Sequence, residues 1–260
     1  MRQAIRALGW ATTALWIFVL IFMGTVFYSL ANLGVEVGQS EAFPSNEGLT
    51  MSLPLLINNT GYYDISELNL TTYVTDRNGT LVSASTTYVP SISSGISIER
   101  AHNISISLNE FVPKNLTYLF FNDSVLNVDT FIILKFAQTI YFQMSTNTTM
   151  LWGAPLYNFS INEISCNLTD RTLTVPIEFE NHSPFDINGT IRLDVYDDEN
   201  EQIGYGEVTV SATSHSGYED QIELFVNLSK RTKRGQVHLF IETAMFSLGP
   251  IVKEWVAPNG

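Results

Sequence analysis

The hydrophobic pattern divides the chain into two unequal parts. From Leu8 to Ala31 (LGWATTALWIFVLIFMGTVFYSLA) there is one apolar run with no charged residue. At about 1.5 Å rise per residue it is long enough to cross a ~30 Å hydrocarbon layer with some tilt, which predicts a transmembrane helix. Beyond it, apolar and polar residues alternate between clusters of Gly, Asn, Asp and Pro, the pattern of half-buried strands and turns. The alternation predicts strands over Leu49–Ile57, Ile65–Val74, Thr80–Tyr88 and Ile96–Leu108, then Leu173–Phe179, Gly189–Tyr196, Gln202–Val210, Asp220–Val226 and Gln236–Phe246. Thr130–Met144 is apolar on both faces and predicts one central strand. It is too short for a second membrane span and carries Lys135, Gln138 and Gln143.

The pattern also repeats. Leu53–Ala84 aligns without a gap on Val175–Gly206 at an offset of 122 residues, pairing Pro54 with Pro176, Asn59 with Asn181, Asp64 with Asp186, Ile65 with Ile187, Asp76 with Asp198 and Asn78 with Asn200. Trp152-Gly153-Ala154-Pro155 recurs as Trp255-Val256-Ala257-Pro258 at an offset of 103, so the first copy carries extra residues before its Trp. Glu110–Val128 is the candidate insert, with Leu116, Leu119 and Phe120 spaced as one face of a short helix. These features predict an all-β exported part in two tandem domains of about 100 to 120 residues, each large enough to bury its own core. The expected organisation is a cytoplasmic tail (1–7), a membrane helix (8–31), a linker (32–48), a first β domain with a short helix (49–156) and a second β domain (157–260). Leu156–Asn162 lacks a Gly/Ser-rich stretch, so the two domains are expected to form a fixed or hinge-limited pair.

Charge sets the expected orientation. Arg2 and Arg6 precede the apolar run, whereas the next basic residue after it is Arg77, preceded by Glu36, Glu41 and Glu47. Positive flanks stay cytoplasmic, which puts the bulk of the chain outside a cell membrane as a single-pass protein. The alternative is a cleaved secretory signal, for which Ser29-Leu30-Ala31 offers small residues at suitable spacing, but such signals have apolar regions of only ~7–15 residues. Thirteen basic against 26 acidic residues disfavour nucleic acid as a partner, and the single Cys166 excludes an intrachain disulfide and a cysteine-based zinc cage. Twelve Asn-x-Ser/Thr sequons occur, at Asn58, Asn69, Asn78, Asn103, Asn115, Asn122, Asn147, Asn158, Asn167, Asn181, Asn188 and Asn227, all beyond the apolar run. Chance would give roughly four, which points to an N-glycosylated ectodomain.

The residues Ile57-Asn58-Asn59-Thr60-Gly61-Tyr62-Tyr63-Asp64-Ile65 and Phe179-Glu180-Asn181-His182-Ser183-Pro184-Phe185-Asp186-Ile187 carry a resemblance. A strand, an Asn-led turn with an aromatic residue, a strand and an Asp-containing hairpin resemble the group 2 late-embryogenesis-abundant (water stress and hypersensitive response) domain, in tandem. The second copy has one inserted residue between Asn181 and Pro184, and the first has Gly61 in place of the proline. The resemblance implies immunoglobulin-like β-sandwiches behind an N-terminal membrane anchor, as in archaeal proteins of this type, and implies no catalytic residues. Members are linked to desiccation protection, membrane contact and lipid handling.

Candidate chemistry is sparse. His102, His182, His215 and His238 form no metal-ligand spacing, Ser214-His215 has no evident carboxylate partner, and no nucleophile elbow or phosphate loop occurs. Cys166 reads as a small buried residue. Asp194, Asp197, Asp198, Glu199 and Glu201 read as a solvated turn, with calcium binding as the alternative. Lys230, Arg231, Lys233 and Arg234 read as a hairpin loop, or as a docking site for an anionic headgroup, glycan or acidic protein. Asn59 and Asn181 are expected to hold Asx-type turns at strand ends. The expectation is a non-catalytic, membrane-anchored scaffold or interaction protein without cofactors, whose partners are the membrane through residues 8–31 and an envelope protein, glycan or lipid. Lipid handling through an apolar groove is the alternative.

Overall fold

The computed structural model describes residues 2–39, 41–45, 48–167, 169–227 and 234–257. The chain is mostly β, with one long N-terminal helix followed by two sandwiches. The helix α1 (Arg2–Ala31) contains, over Arg6–Ala31, a stretch long and apolar enough to cross a membrane. Its outer faces are largely exposed apolar side chains, with Trp10, Trp16, Phe18 and Leu20 among them.

In the first sandwich, β3 (Gly48–Asn59) pairs with β6 (Ile96–Ser107) on one side and with two short strands, β1 (Leu33–Val37) and β2 (Glu41–Ser45), on the other. The facing sheet runs β5 (Leu81–Ile92), β4 (Ile65–Thr75), β7 (Ser124–Phe136), β8 (Ile140–Trp152). The second sandwich repeats this topology. Its first sheet sets β9 (Tyr157–Ile161) and β10 (Ser165–Asn167) along one side of β11 (Thr172–Asn181), with β14 (Ser216–Phe225) on the other. Its second sheet runs β13 (Gln202–Ala212), β12 (Ile187–Asp197), β15 (Arg234–Thr243), β16 (Ser247–Val256). All pairings are antiparallel. Burial alternates as the hydrophobic pattern demands; in β11 Leu173, Val175, Ile177 and Phe179 point inward.

Three expectations are corrected. Residues 32–48 hold β1 and β2 and belong to the first sandwich. The reason lies in the partner strand, because proline has no N–H to offer the ladder. The edge breaks opposite Pro54, where Gly38 N donates to Pro54 O at 2.8 Å, and breaks again opposite Pro176, where Asn162 N donates to Pro176 O at 3.1 Å. Each proline thus splits an edge strand into two short pieces. Second, Thr130–Met144 is two strands. Ala137 (φ 49°) and Gln138 (φ 57°) form the left-handed pair of a tight hairpin turn between β7 and β8, reached without the usual Asn-Gly. Third, the repeat slips by one residue within the aligned stretch. Glu67 (φ 52°) is an extra residue on β4, a bulge against β7, after which the offset becomes 121. The true partner of Asp76 is therefore Asp197, and Gly79 (φ 82°) matches Asn200 (φ 64°).

The insert is a cap. Residues 108–123 form a 3-10 turn (Leu108–Glu110) and a short helix α2 (Tyr118–Phe121). Leu108, Phe111, Leu116, Leu119 and Phe120 are fully buried, and Trp152 Nε1 donates to Leu119 O at 2.8 Å. This closes the far end of the first core and provides a floor for the second sandwich.

Candidate functional site

The positions that the repeat preserves most faithfully gather at one end of each sandwich, termed the base. At the first base, Asn59 is fully buried; its Nδ2 donates to Tyr63 O and Ile92 O, both at 3.0 Å, and its Oδ1 accepts Gly61 N. At the second, Asn181 Nδ2 donates to Phe185 O (2.8 Å), Ala212 O (3.2 Å) and Thr213 O (3.1 Å), and Oδ1 accepts from Ser183 N and Oγ. Each Asn thus satisfies backbone groups that the strand ends would otherwise bury unpaired. Asp64 and Asp186 each accept a backbone N–H at 2.8 Å, from Ser94 and Ser214 respectively. Ser94 Oγ donates to Gly61 O and Ser214 Oγ to Ser183 O. Gly95 (φ 78°) and His215 (φ 57°) occupy the same left-handed position. Ser214-His215 is therefore a piece of turn architecture, and the equivalence of Ser94 with Ser214 was hidden by the change of offset to 120.

Each base receives the element that precedes it in the chain. On the first, Thr25 and Tyr63 hydroxyls lie 2.7 Å apart, Tyr62 N donates to Ser29 Oγ at 2.9 Å, and Tyr28 stacks on Tyr62 with ring centroids 4.9 Å apart. Ser29 is fully buried, and a Cβ on Gly61 would come within 2.7 Å of Ser29 Cβ, so the close approach of helix and loop needs glycine there. On the second base, Phe246 packs on Phe120 of the cap at 4.9 Å, Ser247 N donates to Asn109 Oδ1, and His182 N donates to Ala154 O. His182 Nδ1 lies 2.8 Å from Asp123 and Nε2 3.0 Å from Glu180, while its ring stacks on Tyr157 at 4.2 Å. The hydrogen bond to Asp123, with that to Glu180, raises its pKa above the ordinary histidine value. A Cβ on Gly153 would strike His182 O, so this joint also depends on a glycine.

The remaining candidates are dispersed. His102 is fully buried in the first core, with Nδ1 2.8 Å from Thr87 Oγ1 and Nε2 2.9 Å from Thr72 Oγ1; burial pushes its pKa down and favours the neutral ring. Asp76 is buried under the cap. Burial opposes its ionisation, but hydrogen bonds from Thr80, Tyr118 and Asn78 outweigh this and hold its carboxyl below the usual range. The same environment pushes Tyr118 up to about 12, through burial first and then its bond to Asp76. In the acidic cluster, Asp197 Oδ1 accepts Glu199 N and Glu201 N, a hairpin turn open to solvent. Cys166 is buried, and burial raises its thiol pKa. Among the described residues no group of three or more His, Cys, Asp or Glu could hold a metal. Lys230, Arg231 and Lys233 lie outside the described residues; Arg234 opens β15 and is exposed.

Ten of the sequon asparagines are exposed and Asn69 is half-buried. Asn181 is the correction. It is fully buried with its amide engaged by three carbonyls, so a glycan there is incompatible with the folded base.

No family model matches the chain, and no curated protein matches it. Solved structures that match include distant likenesses. The chain covers 88% of its own length but 32% of red sea bream transglutaminase, at 10% identity and a TM-score of 0.32. The periplasmic chaperone SfaE matches over 86% of this chain and 98% of its own, at 11% identity and a TM-score of 0.32. A family 2 β-glucuronidase matches over 51% of this chain and 12% of its own, at 16% identity and a TM-score of 0.27. The chain thus spans about a third of the transglutaminase and less of the glucuronidase, and these values are too low to carry an inference about activity.

Proposed function

We propose that this chain is a non-catalytic, membrane-anchored stalk that presents its second sandwich away from the cell surface, as a scaffold or interaction module of the envelope. One observation carries the reading: helix, first sandwich and second sandwich are joined base to end without a free linker. Val26 and Ser29 are buried, and Leu30 packs with the Ile57, Ile65 and Phe136 cluster of the first core. A helix so integrated into the domain that follows it favours a retained anchor over a cleaved signal. With Arg2 and Arg6 on the cytoplasmic side, both sandwiches are outside, where the ten exposed sequons are available for glycans. The tandem resemblance to late-embryogenesis-abundant domains fits this arrangement, since it implies sandwiches behind an anchor and no catalytic residues.

The groove along β11 and β14 does not favour lipid handling. An acyl chain needs a contiguous apolar lining, whereas an open groove of about 470 Å³ on the second sandwich is bordered by Glu178, Glu180 and Glu219 beside Phe179 and Tyr218. The test is native mass spectrometry of the full-length protein extracted from its own membranes in mild detergent, with protease added to intact cells in parallel. Glycoforms free of tightly bound lipid, together with external cleavage of both sandwiches, are expected. A lipid mass retained after the anchor is removed would turn the reading towards lipid handling, and protection from external protease would overturn the topology.

A further inference from the structure

We propose that the base of the first sandwich lies in the headgroup layer of the outer leaflet, so that the loops at residues 60–64, 93–95 and 137–139 form a lipid-contacting surface of the folded domain. The proposal rests on the anchored reading above and adds the depth and orientation of the ectodomain.

Helix length gives the first argument. A ~30 Å hydrocarbon layer takes about 20 residues at 1.5 Å each. Counted from Arg6, the outer boundary falls near Val26; counted from Arg2, with Arg6 reaching back to the cytoplasmic interface, it falls near Phe22. The first sandwich touches α1 across this same interval. Tyr63 packs edge-on against Phe22 with centroids 5.8 Å apart and meets the Thr25 hydroxyl at 2.7 Å, and Tyr62 N reaches Ser29 Oγ. Either count leaves Tyr63 at the boundary and the surrounding loops in the headgroups.

The chemistry of the surface agrees. Tyr62 is 64% exposed, Tyr28 is 49% exposed, and they stack on each other, presenting apolar rings with polar tips as interfacial aromatic belts do. The loops are held as one platform: Ala137 N donates to Asp64 O, Ser94 N to the Asp64 carboxylate and Ser94 Oγ to Gly61 O. On its flank, exposed Tyr141 carries the Lys135 ammonium 4.9 Å above its ring, and that ammonium is 3.3 Å from Glu67. The acids at this end are thus engaged by backbone N–H or by lysine.

The third argument comes from the repeat. The second base is partly covered by the cap of the first sandwich, through Phe246 on Phe120 and Ser247 on Asn109, whereas among the described residues the first base meets the end of α1. The part left over faces the side on which the helix enters the membrane, and the bilayer surface is what lies there.

The test uses the full-length chain with Cys166→Ala, reconstituted in phosphatidylcholine–phosphatidylglycerol vesicles and nitroxide-labelled at Leu15→Cys, Tyr62→Cys, Thr139→Cys or Tyr205→Cys. Relative accessibility to oxygen and to a water-soluble nickel chelate reports depth. Position 15 is expected deep in the bilayer, Tyr205 on the second sandwich aqueous, and positions 62 and 139 at intermediate depth, with an oxygen-to-nickel ratio several-fold above that at 205. Thr139 lies on the β7–β8 turn and is hydrogen-bonded to Phe136 and Ala137, so its reading does not depend on the Tyr62 contacts. A deep position 15 with 62 and 139 as aqueous as 205 would overturn the proposal and leave the anchor standing. An aqueous position 15 would overturn both.

Discussion

The two sandwiches share topology, base and edge-strand breaks, yet their cores are built differently. In the first, His102, Thr72 and Thr87 form a buried polar layer between an upper apolar cluster around Val74 and Ile106 and a lower one around Ile57, Ile65 and Phe136. The register places Ile222, Leu193 and Val208 at the equivalent positions of the second, whose core is continuous. The seam between sheets differs in the same sense. Ser83 and Ser85 hydroxyls of β5 donate to Ser105 and Asn103 carbonyls of β6. In the second sandwich the seam closes through backbone, with a bridge between Gly204 and Val226 and a bond from Asn227 N to Ile203 O at 2.6 Å. One topology therefore tolerates either a hydrogen-bonded polar layer or a dry core.

The largest expected effect is at the bases, where the two domains agree. Asn181→Ala strips three carbonyls of their donor and Asn59→Ala two, so each substitution should cost roughly 2–4 kcal/mol, with Asn181 the larger. Hydrogen exchange localised to each domain checks the order.

The polar layer sharpens the contrast. His102→Ile alone removes the partner of half-buried Thr87 and one of the two partners of Thr72, which keeps Thr130 Oγ1 at 2.9 Å, and should destabilise the first sandwich by about 1–3 kcal/mol. Adding Thr72→Leu and Thr87→Val copies the second core and should recover most of that loss, as denaturant midpoints of the parent, the single and the triple variant would record. A triple variant no better than the single one would mean that the two cores are not interchangeable.

A smaller difference is expected at the hairpin turns. Asp76→Asn removes a carboxylate buried under the cap and should cost about 1–2 kcal/mol, whereas Asp197→Asn at the open turn should cost less.

The pH dependence separates the two histidines by sign. His102 has a lowered folded pKa, so only the unfolded chain takes up its proton just below pH 6.5, and stability falls as pH drops through that window. His182 has a raised folded pKa, so its contribution is complete below about pH 6.5 and is lost as pH rises through the higher folded value. His182→Gln should flatten only the second trend, and the triple core variant only the first, in thermal melts between pH 5 and 8.

Much of this architecture was legible in the sequence. The apolar run, the alternation, the tandem repeat and the insert with its Leu116, Leu119 and Phe120 face all follow from local periodicity. What local periodicity does not show depends on partners distant in sequence. Pro54 and Pro176 were visible as a repeated pair, but that they split β1 from β2 and β9 from β10 follows only from the ladder they interrupt. The Ala137-Gln138 turn lacks the usual turn residues, so an apolar hairpin read as a single strand. Glu67 looks like any other strand residue, and its bulge moved the true match of Asp76 by one position. The sequon at Asn181 is sound as a motif, yet the same Asn is needed inside the base, a conflict that burial alone exposes.

The central claim is that anchor and sandwiches form one stacked stalk, and it is tested most directly by electron–electron distance measurement on the full-length protein in lipid nanodiscs. Spin labels at Tyr88 of the first sandwich and Tyr205 of the second, both exposed, should give a single narrow distance distribution. Gly153→Ala, which forces a Cβ against His182 O, should broaden or shift it. A broad or multimodal distribution in the unaltered joint would contradict the account.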